Sequence, residues 1–131
     1  MTGSAMRAVA WITAMLLGAA GVVHAGGDPA QGEKLYEDCV ACHPIERGAH
    51  GIGPTLYGII GRKAGEMADY RYSRALRHSG ITWTAEALDT FIADPQASVP
   101  ANRMPYAGMP DTVDRADLIA YLQRMSKSSA P

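Results

Sequence analysis

The segment Cys39-Val40-Ala41-Cys42-His43 concentrates the residue types that could do chemistry in this chain. Two thiols three positions apart near the end of a helix lie on one side of it, and an imidazole follows directly. That spacing lets both thiols add to the two vinyl groups on one edge of a porphyrin, while the histidine turns under the iron as an axial ligand. C-x-x-C-H is accordingly the attachment signature of c-type haem. Covalent attachment would also let a small chain retain a large apolar group outside a cell. Three other uses of the pair compete. One is a structural disulfide, and another is a thioredoxin-like redox pair, which needs a βαβ context that is not visible. Zinc would need a fourth ligand and more thiols or imidazoles nearby.

A second axial ligand must come from farther along the chain. His50 and His78 are chemically able, although a lone histidine is more often a hydrogen-bonding residue. Met125 falls in an apolar helical stripe and reads as packing, and Met67 lies in a polar loop. Met104 and Met109 lie in the Pro-rich run 99–110, which is stiff enough to hold a thioether at a set distance. Chemistry alone does not choose between them.

These groups need a scaffold, and the pattern of the chain predicts helices joined by long loops. Asp28-Pro29 supplies an N-cap and a proline at the first helical position. Leu35, Tyr36, Cys39 and Val40 then form an apolar face, and Pro44 limits the helix to about Cys42. Residues 44–70 are punctuated by six glycines and two prolines. So long an irregular stretch is unusual unless it wraps something. Ser73–His78 suggests a short helix. Thr84 caps another, with Leu88, Phe91 and Ile92 inward and Asp94-Pro95 as its stop. Residues 95–110 read as a second loop. Asp111 or Thr112 starts a last helix through about Met125, and the tail from Ser126 should fray. No strand is expected, so the fold class is all-α with three to four helices.

Composition narrows the function further. The chain has 131 residues and a net charge of −1, which argues against a general nucleic-acid binder. One Phe, 6 Tyr and 2 Trp make a thin aromatic core that something besides side chains could complete. Residues 1–25 read as a secretory signal peptide: Arg7, then an apolar run Ala8–Val23, then Val23-His24-Ala25 as a cleavage site. The run of 16 residues falls short of the ~20 needed to span a bilayer. An uncleaved anchor is the competing reading, but no long flexible linker follows it. Cleavage after Ala25 leaves a domain of residues 26–131 with 11 basic and 13 acidic positions, net −2. The signal looks bacterial, so the expected location is the periplasm.

With these residues in view, the chain resembles the class I cytochrome c family, closest to its mitochondrial-type and bacterial short-chain members. The matching runs are Gly32-Glu33-Lys34-Leu35-Tyr36 before C-V-A-C-H, Gly53-Pro54-Thr55-Leu56-Tyr57-Gly58, and Gly61-Arg62-Lys63-Ala64-Gly65. They continue with Gly80-Ile81-Thr82-Trp83, the run Pro100 to Gly108, and Asp117-Leu118-Ile119-Ala120-Tyr121-Leu122. Six such runs in order are highly specific. The resemblance implies one haem c, bound through Cys39 and Cys42, with His43 and Met104 as axial ligands. Met109 then becomes packing. It further implies that the Pro54 carbonyl accepts from His43. Arg62 and Trp83 would satisfy one haem propionate, Tyr72 would donate to another, and Asn102 would stand beside the Met ligand. Gly32 and Tyr36 should meet Tyr121, with glycine permitting a close crossing.

The chain also departs from the family pattern. Asp38, Ala41, Gln96, Ala97, Pro110 and Asp111 stand near several positions of the lysine ring of mitochondrial members, and Arg103 and Lys63 remain. Phe91 and Leu76 replace more polar residues, which makes the pocket drier and should raise the potential. With both axial positions filled, no site is open to substrate, so the expected role is an electron carrier rather than an enzyme. A haem peroxidase or gas sensor would require a labile Met104. The carrier would pass single electrons among respiratory-chain or other membrane and periplasmic redox proteins: a cytochrome reductase, an oxidase, a reaction centre or a dehydrogenase. Such complexes are transient and small in area, and the carrier itself is expected to be a monomer. Arg71, Arg74, Arg77 and His78 could form a second positive patch, although such runs are usually solvated.

Overall fold

The computed structural model describes residues 26–128. The expected leader at 1–25 lies outside the described residues, as do positions 129–131 of the tail. Six helical segments follow one another: α1 (Pro29–Leu35), α2 (Glu37–Val40), α3 (Arg74–Arg77), α4 (Ala85–Ala93), α5 (Pro95–Ser98) and α6 (Thr112–Lys127). None of the described helices is long and apolar enough to cross a membrane.

The start signals behave as local chemistry requires. Asp28, Ser73, Thr84 and Asp111 each accept at least one backbone N–H from the first turn of the helix they precede. The number of segments exceeds the three to four expected, for two reasons. The first helix is interrupted at Tyr36, whose carbonyl takes an N–H from both Cys39 and Val40, at 2.8 and 3.0 Å. That tightened turn divides α1 from α2. The second reason is Asp94-Pro95. It stops α4 as anticipated, but an Asp followed by Pro is also a start signal. Asp94 accepts from Ala97 N at 3.0 Å, so the loop expected from residue 95 begins instead with a helical turn, α5. Ser126 also departs from the expected fraying tail. It lies within α6, and its hydroxyl accepts from Ile60 N at 3.2 Å.

α1 crosses α6 so closely that a Cβ on Gly32 would lie 2.0 Å from the Asp117 carbonyl oxygen. Only glycine fits there. Tyr36 and Tyr121 meet beside the crossing with ring centroids 5.3 Å apart. α4 also packs against α6, and Leu88 and Phe91 of α4 share one buried core with Leu118 and Leu122 of α6. Each such side chain contributes about 2 kcal/mol on burial. Among the described residues there is no strand, only an isolated antiparallel bridge between Lys63 and Thr82. The long segments 41–73 and 99–111 wrap the helical frame and leave an apolar cavity inside it.

Candidate functional site

That cavity measures about 620 Å³. All nine residues singled out from the sequence line it: Cys39, Cys42, His43, Pro54, Arg62, Tyr72, Trp83, Asn102 and Met104. Phe91, Leu76, Leu88, Leu118 and Leu122 supply much of the apolar wall. Met109 does not line it; that side chain is buried in the core. Met67 accepts from Arg62 at 3.2 Å, and Met125 packs against the core. His50 and His78 also lie outside the cavity lining. Of the candidate axial ligands, the structure brings together His43 and Met104.

The histidine side is held by short-range bonds. The Cys39 carbonyl accepts from both Cys42 N and His43 N, at 3.0 and 2.9 Å, which turns the chain at the end of α2. His43 Nδ1 donates to the Pro54 carbonyl at 2.8 Å. A carbonyl can only accept, so the proton sits on Nδ1 and Nε2 keeps its lone pair. Gly53 makes room for the ring, since a Cβ there would lie 2.3 Å from His43 Cε1. Tyr36, expected only to pack, also donates its hydroxyl to the His43 carbonyl. Burial, aided by the Arg62 charge and opposed by the Pro54 bond, holds the imidazole below its ordinary pKa. It is therefore neutral at pH 7, as a metal ligand must be.

Cys39 and Cys42 are not joined in a disulfide. Burial, then the neighbouring Asp38 and Cys42, pushes Cys39 up to about 11. Among the described residues there is no strand, so the βαβ context of a thioredoxin-like pair is missing. Among the described residues no cluster of three or more His, Cys, Asp or Glu could hold a metal ion, so the zinc reading finds no ligand set.

Arg62 enters the cavity wall through pairing of residues 61–64 with 81–83. Gly61 N donates to the Trp83 carbonyl at 2.9 Å, Trp83 N to the Arg62 carbonyl at 2.9 Å, and Ala64 N to the Ile81 carbonyl at 2.8 Å. Its guanidinium donates to the Thr55 carbonyl at 2.7 Å and contacts Tyr57 O and Met67 Sδ. Burial lowers its pKa, but arginine stays charged. Among the described residues this half-buried cation forms no ion pair with a carboxylate. A buried charge of that kind is costly unless an anion meets it.

Asn102 does more than stand beside Met104. It is buried, its Nδ2 donates to the Pro95 and Val99 carbonyls at 2.8 and 2.9 Å, and its Oδ1 accepts from Met104 N at 2.8 Å. Sequence reasoning missed three supports. Thr55, 1% exposed, donates to the Glu46 carbonyl and accepts from Tyr57 N. His50 Nδ1 accepts from Thr55 N at 3.1 Å, while its Nε2 faces Asp69 Oδ1 at 3.1 Å without the alignment of a hydrogen bond. Arg115 is buried and bonds the Met109 and Pro110 carbonyls and Asp89, at 2.9, 2.8 and 2.7 Å. A charged residue on the core side of an otherwise apolar helical stripe was the signal for Arg115.

An apolar slot fits a porphyrin attached at this spot: two thiols and a neutral imidazole stand on its wall with a thioether, and an uncompensated arginine could meet its carboxylates. The comparisons with known proteins agree. Residues 29–126 match the family model described as Cytochrome c. Cytochrome c2 of Rhodopila globiformis is 44% identical over 100 residues, 76% of this chain and 94% of that protein. A cytochrome c of Theileria annulata is also 44% identical, over 80% of this chain and 92% of its own length. The solved structure of cytochrome cH from Methylobacterium extorquens superposes with a TM-score of 0.71 at 46% identity, covering 75% of this chain and 99% of that one. With the signature, the fold and the site in register, this chain belongs to the cytochrome c family, electron carriers whose c-type haem is covalently bound, here at the Cys39–Cys42 pair.

Proposed function

We propose that the protein is a periplasmic one-electron carrier with His43 and Met104 as axial ligands, exported by a signal peptide cleaved after Ala25. The observation that carries the ligand assignment is the shared cavity. Cys39, Cys42 and His43 meet Met104 there, while Met109, Met67, Met125, His50 and His78 stay out of it. When bound, haem supplies a ferrous/ferric couple. The chain's own part is to hold and tune it. Pro54 orients His43 and raises its basicity. Arg62 and Trp83 would receive one propionate, and Tyr72 would donate to the other. Asn102 fixes the backbone that presents Met104. Two filled axial positions leave no place for a substrate, which supports a carrier and not an enzyme.

The test is spectroscopic. Protein matured with haem-attachment machinery should show a c-type reduced-minus-oxidised spectrum and a ferric thioether band. Met104→Ala should abolish that band and lower the potential by on the order of 0.1 V or more, and Met109→Ala should keep it. A band that survives Met104→Ala overturns the assignment. Phe91, buried against Trp83 with centroids 5.0 Å apart, keeps the cavity dry. Phe91→Tyr adds a hydroxyl and should lower the potential on redox titration; no change or a rise would contradict this. Membrane and periplasmic redox proteins are the partners of this reading, and an N-terminus at Gly26 in the exported protein would support its location.

A further inference from the structure

Of the run Arg71, Arg74, Arg77 and His78, the last three take no part in lining the haem cavity. In the structure α3 and its flanks turn these residues toward one shallow, open groove of about 990 Å³, bordered also by Ala101 and Arg103. No carboxylate lines the groove. Among the described residues Arg71, Arg74 and Arg77 form no ion pair. Arg103 donates to the Arg71 carbonyl at 2.7 Å and ties the two walls together. The whole chain has a net charge of −1. Four guanidinium groups around one hollow, with no counter-charge, concentrate a field that a merely solvated face does not need. The groove also shares Arg71, Tyr72, Ser73 and Arg103 with the wall of the haem cavity.

We propose that this groove is the docking surface for the carboxylate-bearing face of a redox partner protein, seated against the wall it shares with the haem cavity. The inference rests on the electron-carrier reading and adds a place and a chemistry for the partner. Arginine suits carboxylates because its planar fork binds them bidentately. The wall shared with the haem cavity favours a redox protein over a lipid surface, which has no electron to exchange with the haem. Steering of this kind acts mainly on association rate and specificity.

The matured holoprotein provides the test, with a synthetic ten-residue glutamate peptide as probe. Titrated into the ferrous protein at low salt, the peptide should shift amide NMR signals of residues 71–78 and 101–103. R74E/R77E should weaken its binding about tenfold or more, and slow oxidation by hexacyanoferrate(III) by a similar factor, both effects fading with added salt. R74K/R77K should keep most of the binding. Arg74 and Arg77 do not line the haem cavity, so the thioether band should persist in both variants. Shifts centred on the exposed Val40 and Ile52, or binding unchanged in R74E/R77E, would overturn the proposal. So would binding to phosphatidylglycerol vesicles that R74E/R77E abolishes, in the absence of any peptide-induced shift. A wild-type protein lacking the c-type spectrum would instead sink the carrier reading itself.

Discussion

The two sides of the haem cavity are built differently. The Cys39–His43 turn is held by bonds that span at most 11 residues: Cys42 and His43 N–H to the Cys39 carbonyl, and His43 Nδ1 to Pro54. The Met104 loop has a local turn of its own, but its outer anchors are distant. Arg103 reaches the Arg71 carbonyl, Met109 N donates to the Ile92 carbonyl, and Arg115, which holds the Met109 and Pro110 carbonyls, is itself tied to Asp89 of α4. The loop also carries Ala101 at φ 65°, a left-handed conformation that costs a non-glycine residue about 1–2 kcal/mol. A ligand on a locally encoded turn should persist through partial unfolding. A ligand on a loop sustained from elsewhere should be released first.

Substitutions can break this contrast. The largest loss of stability is expected from Arg115→Ala, which leaves two carbonyls unpaired and removes a mostly buried cation. It should cost about 3 kcal/mol in denaturant unfolding, and hydrogen exchange should rise across 104–111 before it rises near His43. If both regions open together, the contrast is wrong. Gly53→Ala attacks the other side by pushing a methyl into the His43 ring. A cost of about 2–3 kcal/mol is expected, with a shifted potential and an intact thioether band. Asn102→Ala removes the acceptor for Met104 N and should cost about 2 kcal/mol. Added imidazole should then displace the thioether more readily, as followed by loss of its band. Ala101→Gly is the smallest effect and has the opposite sign. Relief of the positive φ should raise stability by up to about 1 kcal/mol, and slower imidazole binding would show that the strain lies in the Met104 loop.

Helix starts are legible because caps are local: Asp28, Thr84 and Asp111 act as read, while Ser73, expected inside its short helix, caps it instead. Asp94-Pro95 was read only as a stop, because the same two residues can end one helix and begin the next. The 61–64 and 81–83 pairing escaped notice since it forms so few bonds that no alternating pattern is needed. The nine site residues were legible through motif and resemblance, and they converge on one cavity. Thr55, His50 and Arg115 were not, because each acts on backbone groups far from any motif.

From sequence alone came the attachment chemistry, the all-α class and the choice of Cys39, Cys42 and His43, for these depend on residues within a few positions of one another. The resemblance singles out Met104, but how its loop is tied down and that four arginines border one groove were decided by tertiary structure. The reason is physical: contacts between segments tens of residues apart exist only once α1, α4 and α6 have packed, and no local periodicity records where the loops between them come to rest.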